Sequence, residues 1–250
     1  MGKRVAVVLA AGKGTRMQSE MPKVLFPVLG RPMIEYVLDA LRKVNVEKII
    51  CVVGYRAEDV KAQLAGHSDL VFVEQTEQLG TGHAVQMCLE ELKGTEGGVV
   101  VLAGDSPLVQ PSSLGELFEV FESQGHSCLL GTLKRGDPTG LGRIVRDSGG
   151  GFEGIVEEKD ATPQQREITE VNMSTYVFDA PRLVEALSRL TNDNAQGEYY
   201  LTDCPRILKD LGDKVDALPV LKSCEAYSIN SREQLAEVER VMTEIGYNKD

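Results

Sequence analysis

Short apolar, β-branched runs alternate along this chain with longer segments whose apolar residues recur at helical spacing. The runs predict strands over 5–9, 48–53, 70–74, 99–102, 127–133, 142–146, 155–158, 174–178 and 215–219. The longer segments predict helices over 33–44, 57–64, 82–92, 112–124, 181–190, 200–211 and 231–245. In the first of these, Ile34, Val37, Leu38 and Leu41 fall at i, i+3, i+4 and i+7, one apolar helix face. Up to residue 105 the order is β-α-β-α-β-α-β, the pattern of a parallel sheet covered on both sides. Beyond it several strands follow one another, so a mixed sheet with a more irregular second half is expected. "DSGGG" at 147–151 reads as a hairpin turn rather than a domain boundary.

Composition changes this picture little: 250 residues, 42% of them hydrophobic, can bury a sizeable core. Charge changes it more. The net charge of −11 argues against nucleic acid or an anionic membrane surface as partner. Yet residues 1–32 carry Lys3, Arg4, Lys13, Arg16, Lys23 and Arg31 against Glu20 alone. A local positive segment in an acidic protein suits a small anionic ligand. The five cysteines are far apart, odd in number and without a CxxC pair, which fits reduced, mostly buried thiols. With no apolar run of ~18 residues and no signal-peptide pattern, a soluble, cytoplasmic protein is expected.

The candidate chemistry begins at "VVLAAGKGTRM", 7–17. In open α/β sheets ligands sit at the carboxyl ends of strands, so the turn after the first strand is the first place to look. Gly12 and Gly14 can adopt φ > 0 and let a ligand approach the backbone, and successive bare N–H groups can cradle phosphate. A Walker A loop is excluded, because Val7 stands where its first glycine belongs and Gly14 where its Ser/Thr belongs. A dinucleotide fingerprint lacks its third glycine, at Met17. A tight turn with solvated basic residues is the plainer alternative.

Read as a whole, "LAAGKGTRMQSEMPKVLFPVLGRPMIEY" resembles the sugar-nucleotide pyrophosphorylases, or nucleotidyltransferases, with their LxxGxGTRM signature and a following Pro-Lys. "EQTEQLGTGHA" (74–84), "GDSPL" (104–108), "DPTGLGRIV" (137–145), "GIVEEKDAT" (154–162) and "NAQGEYYLTD" (194–203) follow in order at the family's spacing. Within that family the chain looks like the uridyltransferase domains of the bacterial N-acetylglucosamine-1-phosphate uridyltransferases. The resemblance implies a Rossmann-like, three-layer α/β fold with a mixed, mainly parallel sheet. It also implies a reaction of UTP with N-acetylglucosamine 1-phosphate that gives UDP-N-acetylglucosamine and pyrophosphate, with Mg²⁺ as cofactor. The attacking phosphate is already an anion, so such a reaction needs positioning and cations rather than a general base.

The resemblance assigns Arg16 to the β/γ-phosphates and Lys23 to the α-phosphate and sugar phosphate. A guanidinium suits a bidentate phosphate contact and an ammonium a point contact. It assigns Asp105 and Asn230 to the metal; from the residues alone, Asp105 before Ser106-Pro107 could equally cap a helix, and Asn230 could cap the helix after it. Nucleotide recognition is implied for Ala10, Ala11, Gly12, Gly14, Gln75, Gly80 and Thr81, and sugar recognition for Gly104, Gly140, Glu157, Asn172 and Thr202. The plain alternatives are a solvated loop for Gln75, a strand-edge acid for Glu157 and a turn residue for Asn172. Tyr199-Tyr200 read as packing and sugar-wall residues, His83 as helix N-terminal structure, and His67 and His126 as surface residues. No His/Cys cluster has metal spacing.

Two departures bear on the sugar: Ala103 stands where close relatives often have tyrosine, and "NMS" at 172–174 replaces a more usual Asn-Thr-Gly. The expected organisation is a nucleotidyltransferase domain over 1–230 and a C-terminal helix and tail over 231–250, without the hexapeptide-repeat acetyltransferase domain of bifunctional relatives. The alternatives are the same chemistry on another sugar 1-phosphate and a non-catalytic nucleotide-sugar-binding regulatory subunit.

Overall fold

The computed structural model describes residues 2–14, 19–227, 229 and 231–247. Arg16 and Asn230 lie outside the described residues. The strands are β1 (Lys3–Ala10), β2 (Pro27–Val28), β3 (Arg31–Pro32), β4 (Lys48–Val53), β5 (Leu70–Glu74), β6 (Gly97–Ala103), β7 (Cys128–Lys134), β8 (Gly142–Arg146), β9 (Phe152–Val156), β10 (Glu170–Asp179) and β11 (Val215–Leu218). The helices are α1 (Met33–Lys43), α2 (Ala57–Gln63), α3 (Thr81–Gln86), α4 (Leu89–Leu92), α5 (Pro111–Gln124), α6 (Pro163–Arg166), α7 (Ala180–Ser188), α8 (Cys204–Asp210) and α9 (Arg232–Glu244).

The main sheet runs β11-β7-β10-β6-β1-β4-β5, with β8 pairing β10 and β9. β6, β1, β4 and β5 are parallel to one another, whereas β10 is antiparallel to both β6 and β7. The sheet is therefore mixed, as expected. Alternation along β1 builds both faces. Ala6, Val8 and Ala10 join a core with Leu38 and Leu41 of α1 and Phe118 of α5, while Val5 and Val7 join another with Leu183 and Leu187 of α7. Each fully buried Leu or Phe here contributes about 1.5–3 kcal/mol. α9 closes a third cluster, Val238 and Met242 packing with Leu29, Met33 and Tyr36.

Local chemistry sets several boundaries. Asp179 caps α7 by accepting from the Arg182 N–H at 3.3 Å, with a proline in its first turn. α5 ends where Gly125 turns left-handed at φ +65°. The "DSGGG" stretch is the β8–β9 turn, closed by Asp147 N–H to Gly151 O at 2.9 Å.

Four expectations need correction. The helix over 82–92 is two pieces, because Cys88 (φ −86°, ψ 0°) turns the chain between α3 and α4 without a glycine or proline to mark it. The helix over 200–211 opens as a 3-10 turn at Leu201–Asp203 and becomes α-helical at Cys204. β9 lies earlier than 155–158, so Glu157 follows its end. β10 starts four residues before 174, and a bulge between Asn172 and Thr175 breaks the alternation that marks a strand.

Candidate active site

β1 has β6 on one side and β4 on the other, so its carboxyl end is the point where strand order reverses. A cavity of about 410 Å³ opens there, bounded by Ala10, Ala11 and Gly12 after β1 and by Ala103 and Asp105 after β6. Gly104 ties the two ends together, its N–H donating to Leu9 O at 2.9 Å. The two loop glycines do different jobs. Gly14 is left-handed (φ +64°), and a Cβ on it would lie 2.7 Å from the Lys23 Cβ, so its bareness lets Lys23 lie against the loop. Gly12 is outside the left-handed region, and a Cβ on it would meet nothing within 4 Å.

Lys23 stands in a 3-10 turn (Lys23–Leu25) after Pro22 and donates to Asp105 Oδ2 at 2.6 Å. Both side chains are half-buried and face the cavity. Asp105 caps no helix: α5 starts at Pro111, preceded by Gln110. The local basic segment is only partly aimed at a ligand. Arg4 pairs with Glu122 at 2.7 Å, Arg31 with Asp39 at 2.9 Å, and Lys13 lies over the Tyr55 ring at 5.2 Å.

The segment after β5 forms the cavity's other wall. Gln75 is buried rather than solvated: its amide donates to Gly80 O at 3.0 Å and meets His83 Nδ1 at 3.1 Å. That contact makes Nδ1 the acceptor and leaves the imidazole proton on Nε2. His83 is thus a support for Gln75. Gly80 sits at φ +110°, where a Cβ would come within 2.5 Å of Tyr199 O. The segment is strapped to the chain before α8: Tyr199 N–H to Leu79 O and Gly82 N–H to Tyr199 O at 2.8 Å each, and Leu201 N–H to Thr81 Oγ1 at 3.2 Å. Sequence reasoning missed Gln78, which lines the cavity and donates to Ala11 O at 2.7 Å, and Glu198 on the same wall. Gln78 lay inside the quoted 74–84 block, so a signal for it was present.

None of the residues assigned to the sugar lines this cavity, although Gly104 stands between two residues that do, Ala103 and Asp105. Three of them form an adjoining polar group. Thr202 donates to Glu157 Oε1 at 2.9 Å, and Asn172 Nδ2 donates to the Tyr176 hydroxyl at 2.6 Å. A Cβ on Gly142 would stand 3.5 Å from Asn172 and 3.6 Å from Glu157 Oε2, which puts both around that strand. Asn172 is 5% exposed and belongs to β10, so it is not a turn residue. Gly140 is on an exposed loop, its N–H donating to Glu158 Oε2 at 3.1 Å. That loop is pinned by the buried Arg143, which pairs with Glu158 at 2.7 Å. Tyr200 is buried, in line with packing. His126 is buried, not at the surface; burial and Lys214 hold its pKa below the usual imidazole value. His67 is half-buried between Glu35 at 3.1 Å and Arg42 at 3.0 Å.

Burial pushes the Glu157 carboxyl above the ordinary carboxylate range, with the Thr202 hydroxyl offsetting part of it. Asp203 is pushed the same way by burial and by the charges of Glu157 and Asp160. Each group holds its proton more tightly when folded. Its stabilising contribution is therefore complete below the ordinary carboxylate pKa and is lost as pH climbs through the raised one. Glu157→Gln should match the parent's Tm near pH 4 and exceed it at about pH 7–8. A Tm difference that does not grow with pH would count against this account.

Four of the five cysteines are buried free thiols, and among the described residues no helix is long and apolar enough to cross a membrane. No group of three or more His, Cys, Asp or Glu side chains is poised for a metal among the described residues. Magnesium asks for less: one or two carboxylates completed by water and substrate phosphates. Asp105, which lines the cavity and takes Lys23 on Oδ2, fits that requirement.

A glycine loop, a lysine and a carboxylate gather at the strand-order reversal, the place where open α/β folds take their ligands. The chain belongs to the MobA-like NTP transferase domain family, whose sequence pattern matches residues 6–204. It is 47% identical over 242 residues to the "Bifunctional protein GlmU" of Listeria monocytogenes serotype 4b and 48% identical to that of Geobacillus thermodenitrificans. Each match covers 97% of this chain and 52% of the relative, so the chain spans about half the length of these relatives. A structure of UDP-glucose pyrophosphorylase complexed with UDP-glucose shares the fold, with a TM-score of 0.79 over 98% of this chain and 100% of that one at 18% identity.

Proposed function

We propose that this chain transfers UMP from UTP to N-acetylglucosamine 1-phosphate, giving UDP-N-acetylglucosamine and pyrophosphate. The observation that carries the reading is the Lys23–Asp105 pair facing the bare Ala10–Gly14 loop in one cavity. A sugar-phosphate oxygen attacks the α-phosphorus of UTP, a new P–O bond forms, and the bond to the bridging oxygen of the leaving pyrophosphate breaks. No proton need move. Charge moves instead, and the cations gathered here oppose it. Lys23 orients the two phosphates, with Arg16 on the departing pyrophosphate. Asp105, with Asn230, would hold Mg²⁺, which when bound neutralises phosphate charge. Gln75, its amide N–H groups already engaged, keeps its oxygen for the uracil N3–H, while loop backbone serves the other edge of the base. Glu157, Asn172 and Thr202 would meet the sugar, with Gly140 on the rim. Buried free thiols and a nucleotide substrate support a cytoplasmic site of action.

A second reading, the same transfer to another sugar 1-phosphate, is favoured by Ala103 and Ser174, which line the cavity in place of the relatives' usual residues. Pyrophosphate release from each NTP against a panel of sugar 1-phosphates tests both. UTP should exceed ATP in kcat/KM by at least ~100-fold, because a pyrimidine-sized wall and one well-placed amide reject a purine. Comparable turnover with ATP, or none with any pair, would overturn the proposal.

A further inference from the structure

Ser174 is a non-glycine residue at φ +52°, a conformation that L side chains rarely adopt. It sits in the β10 bulge, where pairing with β7 jumps from Asn172–Thr132 to Thr175–Gly131. A backbone outlier persists only where its surroundings over-determine it, and such outliers gather at ligand sites. The surroundings here are specific. The Ser174 N–H donates to Asn172 Oδ1 at 3.1 Å, and Asn172 Nδ2 donates to the hydroxyl of Tyr176, which is 1% exposed. The Ser174 hydroxyl lies beside that same phenol. The phenol can accept from both Asn172 and Ser174, or turn its own proton toward Ser174 Oγ, and in the second arrangement the serine proton is free for a ligand. Ser174 also lines the cavity that holds Lys23 and Asp105, as does Ala103.

We infer that Ser174 is a specificity-determining residue: its hydroxyl, aimed by Asn172 and Tyr176, donates a hydrogen bond to an oxygen of the sugar 1-phosphate. The inference rests on the uridyltransferase reading above. It gives the bulge a purpose, which is to carry the end of a buried polar relay to the wall between the nucleotide loop and the sugar group.

Two variants separate a ligand contact from a structural effect. Ser174→Gly relieves the left-handed backbone and Ser174→Ala retains it, yet both delete the hydroxyl. Thermal unfolding should rank Ser174→Gly above Ser174→Ala. In steady-state kinetics both should raise the KM for N-acetylglucosamine 1-phosphate by a similar factor, roughly 5- to 20-fold, while kcat and the KM for UTP move less than about twofold. A parallel series with glucose 1-phosphate locates the oxygen. Equal losses place it on the phosphate or a shared hydroxyl, and a loss confined to the N-acetyl sugar places it on the 2-substituent; either supports the assignment. KM values within about twofold of the parent in both variants overturn it, as do changes that follow the variants' stability order. If the parent turns over no sugar 1-phosphate at all, the uridyltransferase reading fails first and the role of Ser174 goes with it.

Discussion

Asp105→Asn should lower kcat for pyrophosphate release by at least ~100-fold, the loss expected when a metal-centred charge clamp is removed. The amide has nearly the size of the carboxylate, so packing at the end of β6 is kept and only charge changes. That charge has two duties. It holds the Lys23 ammonium at 2.6 Å, and under the proposed function it would ligate magnesium once substrates arrive. Ligating a metal would weaken that bond and leave the ammonium for phosphate, so under the proposed function the pair would act as an exchange rather than a fixed bridge. Kinetics across a magnesium titration check this. Full activity of the parent in excess EDTA, or a variant within about threefold of the parent, would sink the metal role.

Arg16→Ala should reduce kcat by roughly 10²–10³, a loss of about 3–4 kcal/mol of transition-state stabilisation, while the KM for UTP rises much less. The expectation rests on its place between Gly14 and Lys23 and on a guanidinium's fit to a departing pyrophosphate, whose charge grows only as the bond breaks. An interaction made in the transition state alone lowers kcat, whereas a uniform binding contact raises KM alone. Lys23→Ala should lower kcat similarly but raise the KM for the sugar phosphate more. Steady-state kinetics decide it, with circular dichroism to confirm folding. An Arg16→Ala kcat within about threefold of the parent would make that arginine a surface cation.

The parallel half of the fold was legible because its inner strands β1, β4 and β6 are buried on both faces and its edge strand β5 is an unbroken apolar run up to Glu74. Runs such as 48–53 and 70–74 have no amphipathic alternative, and their bounds coincide with β4 and β5. Legibility failed where tertiary contact overrides local pattern. Nothing in the residues around Cys88 marks the turn that splits α3 from α4, and Ser174 hides the β10 bulge because a serine does not announce a left-handed backbone. The two-residue strands β2 and β3 are too short for any periodicity. At the site, the loop glycines after β1 and Asp105 after β6 were placed by strand ends and motif order, whereas the Lys23–Asp105 pair had no signal in the sequence. The basic surplus of residues 1–32 overstated the ligand-facing charge, because Arg4 and Arg31 are spent on Glu122 and Asp39. His126 was misjudged since a lone polar residue after a helix gives no sign of its burial.

The strap between 79–82 and 199–201 also bears on attempts to re-engineer this fold. Three backbone-anchored bonds make the loop after β5 and the segment leading into α8 one mechanical piece, although more than a hundred residues separate them along the chain. A chimera that imports a new acceptor preference by exchanging only 137–158 and 172–174 leaves this piece whole. One that crosses over between 190 and 200 mates a loop from one parent with a docking strip from another. Gly80 and Gly82 tolerate no added Cβ against Tyr199, so the second kind must carry both halves of the seam to keep its nucleotide loop seated.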